Sequence, residues 1–234
     1  MPVAVITGAS RGLGRATATA LSRLGWSVVV DARSAADLAA LERELPGGTL
    51  TALAGDVTDP GHRAALAAAV EAQGRLDLLV NNASLLGPSP QPPLASYPLD
   101  VLARVYAVDV LAPLALTQLL LPALTASRGA LVNVSSDAAV EAYEGWGGYG
   151  SAKAALDHLS AVLAAERPDL AVYAFDPGDM RTTMHQEAFP GEDISDRPEP
   201  ETVVPALLRL VTERPPSGRY RAVELLTGVT AVTA

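Results

Sequence analysis

The chain contains no cysteine. That excludes a disulfide framework and thiolate chemistry, and with them the folds stapled by covalent bridges. Histidine is nearly as scarce: three are scattered over 234 residues without metal-ligand spacing, so no metal site is expected. Aromatic residues make up only 4% of the chain, which leaves Ala, Leu and Val to build the core. Cations are also short, 17 Lys and Arg against 26 Asp and Glu, for a net charge of −9. Such a field repels nucleic acid and anionic membrane surfaces, so neither is an expected partner. The N-terminal "MPVAVITGAS" lacks the basic segment and long apolar core of a signal peptide, and no uninterrupted apolar run reads as long enough to cross a bilayer. The expected location is cytoplasmic.

What is present is an alternation. Short apolar, β-branched runs at Val3–Thr7, Ser27–Ala32, Thr49–Ala54, Leu76–Asn81, Ala130–Ser135, Leu170–Phe175 and Tyr220–Leu226 read as strands. Between them, residues 15–25, 35–45, 62–74, 101–126, 151–166 and 201–213 carry apolar residues at helical spacing. Buried strands alternating with helices predict an α/β three-layer sandwich, a central parallel sheet of about seven strands with helices on both faces. The length suits a single domain over residues 1–234. Two segments break the rhythm. Proline-rich "LLGPSPQPPLASYPLD", 85–100, cannot be a continuous helix or central strand. The polar, acidic stretch 179–201, interrupted by Gly and Pro, reads as a long loop of the kind that covers a binding site.

The turn "TGASRGLG", residues 7–14, follows the first strand and opens the first helix. Gly8 permits a tight turn, Gly12 close backbone approach and Gly14 close helix-on-sheet packing, while N–H groups at the helix N-terminus suit a pyrophosphate. Glycines alone also serve as an empty strand-to-helix turn. The second strand ends in "VVVDARS". There an acidic residue would take a free ribose 2′-OH and a basic one a 2′-phosphate. Arg33, with Arg11 in the glycine turn, favours NADP(H) over NAD(H); Asp31 is the rival signal, since a slip of one residue would make it an NAD determinant.

Tyr149 and Lys153 in "YGSAK" lie four apart, so a helix starting near Gly148 puts both on one face. A nearby ammonium, together with the positive end of an oxidised nicotinamide ring, favours phenolate and is expected to lower a phenol pKa from about 10. "AVDVLAP", 107–113, places Asp109 in an otherwise apolar stretch, with Pro113 four residues on. A proline there has no N–H for the carbonyl of Asp109, which predicts a kink and a carbonyl free for water.

Six strings in order, "TGASRGLG", "GDVTD", "NNAS", "VNVSS", "YGSAK" and "DPGDMRT", resemble the short-chain dehydrogenase/reductase family over all but about the last forty residues. The resemblance implies a Rossmann-like fold and an oxidoreductase acting on CH–OH or carbonyl groups with a nicotinamide cofactor. It implies cofactor contacts from Gly8, Ser10, Arg11, Gly12, Leu13, Gly14, Arg33, the adenine-side pair Asp56 and Val57, Asn82, Ala83, Ser84, and Pro177, Gly178, Met180 and Thr182. Ser136, thirteen positions before Tyr149, falls in the register of the family's serine and is chosen over Ser135. Ser136, Tyr149 and Lys153 would then be catalytic, with Tyr149 and Lys153 also touching the cofactor. Asp109 occupies the place of an asparagine in the family's proton path, and Ser84 stands where glycine is commoner. The expectation for Asp109 is that its backbone carbonyl serves the relay; if the relay needs a neutral amide instead, a buried carboxylate near Lys153 would pair with it or bind a proton itself. Tyr143, Trp146, Met184 and His185 are candidate substrate contacts.

The resulting expectation is NADPH-dependent reduction of a ketone or aldehyde on a small or medium organic molecule, or the reverse alcohol oxidation. The competing readings are a silent NADP(H)-binding regulator and a tailoring enzyme of the same fold that performs epimerisation or elimination. Relatives pair helices corresponding to 101–126 and 150–166 between subunits, so a homodimer or homotetramer is expected.

Overall fold

A computed structural model describes residues 1–45 and 50–228. The apolar runs form seven strands: β1 (Val3–Ile6), β2 (Ser27–Ala32), β3 (Leu50–Ala54), β4 (Leu78–Asn81), β5 (Ala130–Val134), β6 (Ala171–Asp176) and β7 (Gly218–Arg221). Thr49, the expected start of β3, lies outside the described residues. Every neighbouring pair is parallel, in the order β3-β2-β1-β4-β5-β6-β7. Ile6 of β1 stands between Val30 of β2 and Val80 of β4. Strands β1, β2, β4 and β5 are buried along their whole length, as a sheet covered on both faces requires.

The period-2 alternation sorts the core into two halves. Ala4, Ile6, Val28, Val30, Leu78 and Val80 face one layer, together with Leu13 and Leu21 of α1 (Gly12–Arg23), Leu38 of α2 (Ala35–Glu44), and Leu207 and Leu210 from residues Val204–Glu213. Val3, Val5, Val29, Leu79 and Leu131 face the other, with Leu66 and Val70 of α3 (Pro60–Gln73) and Leu116, Leu120 and Leu124 from residues 112–127. The chain moves outward from β1 to β3 and then returns to place β4 on the other side of β1. The crevice outside the carboxyl ends of β1 and β4 is the place where such sheets bind ligands.

The apolar 101–126 stretch is α4 (Leu99–Tyr106) running through a π turn (Ala107–Leu111) into α5 (Ala112–Ser127). The expected interruption therefore exists, but it is a π turn just ahead of Pro113, with the Ala112 N–H reaching back five residues to the Ala107 carbonyl. Taken as one unit of 29 residues, Leu99–Ser127 is long and apolar enough by composition to cross a bilayer, contrary to the reading of the sequence. It lies across the sheet instead, with Leu116, Leu120 and Leu124 in the core and Asp109 fully buried.

The rest follows as α6 (Gly147–Glu166), α7 (Thr183–Ala188), α8 (Val204–Glu213) and α9 (Ala222–Thr227). Helix α7 gives the 179–201 segment more order than a plain loop, because Thr182 caps it by accepting from the His185 N–H. The expected strand Tyr220–Leu226 is corrected: β7 ends at Arg221 and α9 begins at once, since Ala222 and Leu225 are three apart and bury together against the core.

A buried polar link joins the sheet to the first glycine turn. The fully buried Asp31 carboxylate accepts the Gly8 N–H at 2.8 Å, and its other oxygen meets His62 Nε2 of α3 at 3.0 Å. The Asp31 bond raises the His62 pKa against the opposing effect of burial, with the Asp59 and Asp56 charges adding to the rise. A folded-state pKa above the unfolded one gives stabilisation that is complete below the unfolded value and fades as pH rises through the folded value. His62→Gln is therefore expected to cost roughly 2 kcal/mol in urea unfolding at about pH 6 and clearly less at about pH 9. An equal loss at both pH values would contradict a charged His62–Asp31 pair.

Candidate active site

The carboxyl ends of the strands open into a cleft of about 460 Å³. Its floor at β1 is the glycine turn, held in shape from β4. Thr7 Oγ1 accepts the Asn82 and Ala83 N–H groups, and the Asn82 amide donates to the Thr7 and Gly8 carbonyls. Two glycines are required by space. A Cβ on Gly8, which also has φ +67°, would lie 2.8 Å from Ala83 Cα, and one on Gly14 would lie 2.4 Å from Asn82 Nδ2. Gly14 thus packs behind the turn, while Gly8, Ser10, Arg11, Gly12 and Leu13 line the cleft. Helix α1 starts without a side-chain cap, so its first N–H groups face the cleft end unclaimed by a capping oxygen. That arrangement fits a pyrophosphate.

At one end the cleft is lined by Arg33, Asp56, Val57 and Arg104. Arg11 and Arg33 are exposed. Asp56 is held by Thr58 and by Arg104 at 2.6 Å; burial works against its charge, but these partners keep its carboxyl below the usual range. Asp31 has both carboxylate oxygens engaged by Gly8 and His62.

The opposite end carries the chemistry. Helix α6 begins at Gly147 and presents Tyr149 and Lys153 to the cleft on one face. The Lys153 ammonium is 2% exposed, donates to the Val134 carbonyl at 2.8 Å, and lies 3.7 Å from Asp109 Oδ2 and 5.4 Å from the Tyr149 ring centre. Burial disfavours its charge, but Tyr149, Asp109 and Asp157 together outweigh that and raise its pKa. Burial pushes the Tyr149 phenol up, with Asp109 and Asp176 adding, while Lys153 and Ser84 pull it down. The Lys153 ammonium acts in the expected direction, and the loss of water around a 7% exposed tyrosine opposes it.

Asp109 takes the position of the buried carboxylate near Lys153. The π turn swings its carboxylate inward, where it accepts from Ser84 Oγ and the Leu85 N–H, both at 2.7 Å. The side chain, not the backbone carbonyl, meets Lys153. Ser136 sits just past β5 and lines the cleft; its hydroxyl donates to Asp137 Oδ1 at 3.0 Å and accepts the Ala138 N–H. Pro177, Gly178, Met180 and Thr182, after β6, line the same end, as do Asn82, Ala83 and Ser84 after β4.

Of the candidate substrate residues, Trp146, Met184 and His185 line the cleft. Trp146 stands edge-on to Tyr149 with ring centres 5.9 Å apart, and Phe189 packs on both Trp146 and His185. Tyr143 is outside the wall, 46% exposed, with its hydroxyl donating to Asp137. Residues missed by motif reading include Leu86, Arg104 and Asp137, which also line the cleft, and Arg219. From β7, Arg219 donates to the Ser136 carbonyl and to Asp176 at 2.9 Å, and to Asp157 of α6 at 3.0 Å. It ties together the ends of β5, β6 and α6, and lies beyond every recognisable string. Asp137 could have been suspected from its place next to Ser136.

Residues 2–193 match the short chain dehydrogenase family. The chain is 39% identical over 202 residues to sepiapterin reductase of Mus musculus, covering 80% of this chain and 77% of that protein. It is 33% identical over 220 residues to the (S)-benzoin-forming benzil reductase of Saccharomyces cerevisiae, covering 90% and 81%. A short chain dehydrogenase from Shigella flexneri, solved in complex with NADP, superposes with a TM-score of 0.88 at 30% identity, covering 95% of this chain and 97% of that one. A parallel sheet with an uncapped glycine turn at its switch point, and a matching Tyr149 and Lys153 on one helix face, agree with these similarities. The chain belongs to the short-chain dehydrogenase/reductase family, the nicotinamide-dependent oxidoreductases of carbonyl and alcohol groups.

Proposed function

We propose that this protein reduces a ketone or aldehyde on a small or medium organic molecule with NADPH, and can run the reverse oxidation. The observation that carries the reading is the buried Tyr149–Lys153 pair at one end of a cleft whose other end is lined by the exposed Arg11 and Arg33. A nicotinamide cofactor, when bound, would supply hydride chemistry to the carbonyl carbon. Ser136 donates a hydrogen bond to the substrate carbonyl oxygen, turning its proton away from Asp137 to do so. Tyr149 hands its proton to that oxygen as negative charge develops. Lys153 holds the resulting phenolate by charge and would bond the ribose of a bound cofactor. Arg219 keeps the Ser136 turn and the Pro177–Gly178 segment in register with α6.

Arg33 and Arg11 receive a 2′-phosphate. Support comes from Asp31, whose carboxylate is consumed inside the fold and so is unsuited to the NAD role that a one-residue slip would give it. The relative bound to NADP points the same way. Trp146, Met184, His185 and Leu86 form an aromatic and apolar wall for the substrate, with the 179–201 segment as its cover. Residues 1–234 act as one unit, in the cytoplasm. Leu111 and Leu119 of the long helix and Val162 of α6 are exposed and suit pairing of these helices in a homodimer or homotetramer.

A panel of carbonyl compounds scored by NADPH absorbance should identify substrates. Tyr149→Phe should lower kcat by about 10²- to 10⁴-fold while NADPH binding is retained. A variant with undiminished turnover would remove Tyr149 as the acid. Arg33→Asp should weaken NADPH use about tenfold or more and leave NADH use nearly unchanged. An equal effect on both cofactors would contradict a 2′-phosphate contact.

A further inference from the structure

Ser136 and Asp137 are adjacent in the chain and form a hydrogen-bonded donor and acceptor at the cleft wall. The Ser136 hydroxyl donates to Asp137 Oδ1 at 3.0 Å, and both residues line the cleft together with Tyr149. The carboxylate is held from both sides. The Ala138 N–H donates to Oδ1 at 2.8 Å, and the hydroxyl of the exposed Tyr143 donates to Oδ2 at 3.0 Å. Asp109 and Asp176 face the cations Lys153 and Arg219, whereas these partners of Asp137 are neutral and leave its charge uncancelled. Removing a donor from a carboxylate that is partly shielded from water costs free energy until another donor takes its place. Substrate binding removes one here: once Ser136 turns its proton to a carbonyl oxygen, Oδ1 keeps the Ala138 N–H and has a vacant position on the side of Ser136.

We propose that Asp137 determines specificity by selecting carbonyl compounds that carry a hydrogen-bond donor, a hydroxyl or an amine, on the carbon next to the carbonyl. The inference rests on the carbonyl-reductase reading and names a substrate class for that site. In the complex the Ser136 O–H donates to the carbonyl oxygen, and the substrate's own O–H or N–H fills the vacated position on Asp137 Oδ1. The two protein oxygens are 3.0 Å apart. A carbonyl oxygen and a donor atom on the neighbouring carbon are similarly spaced when both point the same way, so two side-by-side hydrogen bonds of opposite sense form together. That pairing also fixes which way round the substrate lies. A ketone without the donor leaves Oδ1 short of a partner, and one with a carboxylate in the donor's place meets Asp137 with like charge. Past the polar pair, Leu86, Trp146, Met184 and Ala188 pack around Tyr149 and line the cleft, which suits an apolar or aromatic remainder. The transfer of hydride and of the Tyr149 proton is unaltered; Asp137 sets which carbonyl is presented to them.

The test measures kcat/KM with NADPH for phenacyl alcohol, its methyl ether, acetophenone and phenylglyoxylate; hydroxyacetone, methoxyacetone and acetone repeat the comparison for a smaller pocket. The methyl ether keeps the electron-withdrawing oxygen and lacks the donor, so it separates recognition from intrinsic reactivity. The native protein should prefer each hydroxy ketone over its methyl ether by about ten- to a hundredfold. In Asp137→Ala that preference should shrink to within about twofold, and phenylglyoxylate should gain on acetophenone. Asp137→Asn keeps the shape and a neutral acceptor, so its preference should fall between the two, and it carries the test if the alanine variant does not fold. A purely structural role for Asp137 would slow all substrates alike and leave the ratios unmoved. A native preference within about twofold, or one that survives in either variant at its native size, would overturn the proposal. Failure of the reductase reading looks different, as no carbonyl compound would then oxidise NADPH with any of these proteins.

Discussion

A single buried ammonium organises the working end of this molecule. Lys153 reaches the end of β5 through the Val134 carbonyl, the π turn through Asp109, and its own helix neighbour Tyr149. A charge this deep is tolerated only where partners replace its water, and each partner comes from a different element. Helix α6, the sheet and the long helix must all be in place before the ammonium is comfortable. The same constraint explains why the long helix is interrupted where it is. An uninterrupted α-helix would aim residue 109 differently; the extra residue of the π turn turns its carboxylate toward Ser84 and Lys153.

The cleft is arranged by charge along its length. Arginines 11, 33 and 104 gather where an anionic cofactor group would lie, and the carboxylates of Asp109 and Asp176 sit near the reacting end, each with an assigned cation. Arg219 carries the mechanical side of that arrangement by binding three segments through one guanidinium, a task suited to its fixed fork of donors. Near β1 the equivalent task is shared by the neutral Thr7 and Asn82 and by the Asp31 carboxylate, which holds the Gly8 N–H and is paired with His62.

Most of the architecture was legible in the sequence because parallel strands are buried on both faces and announce themselves as apolar runs. Strands β1, β2, β4 and β5 were found for that reason. The last strand was misread where that signal fails: "GRYR" is a polar edge strand, while the apolar Ala222 and Leu225 just after it belong to a helix. In the site, residues within short motifs were placed in one cleft as expected. Arg219 was invisible, since an arginine in a polar edge strand has no local pattern to mark it. Tyr143 was misplaced because nearness in sequence to Tyr149 does not set the direction of a side chain ahead of a helix. For Tyr149, spacing reveals the ammonium that lowers its pKa but not the loss of water around the phenol that opposes it.

The central claim is that the Lys153 charge holds the Tyr149 phenolate against the penalty of burial. The most direct measurement is the ionisation midpoint of Tyr149 in the native protein and in Lys153→Met, read by ultraviolet titration against Tyr149→Phe. Removal of the ammonium should raise the midpoint by about one pH unit or more. A midpoint that stays in place or falls would contradict the account.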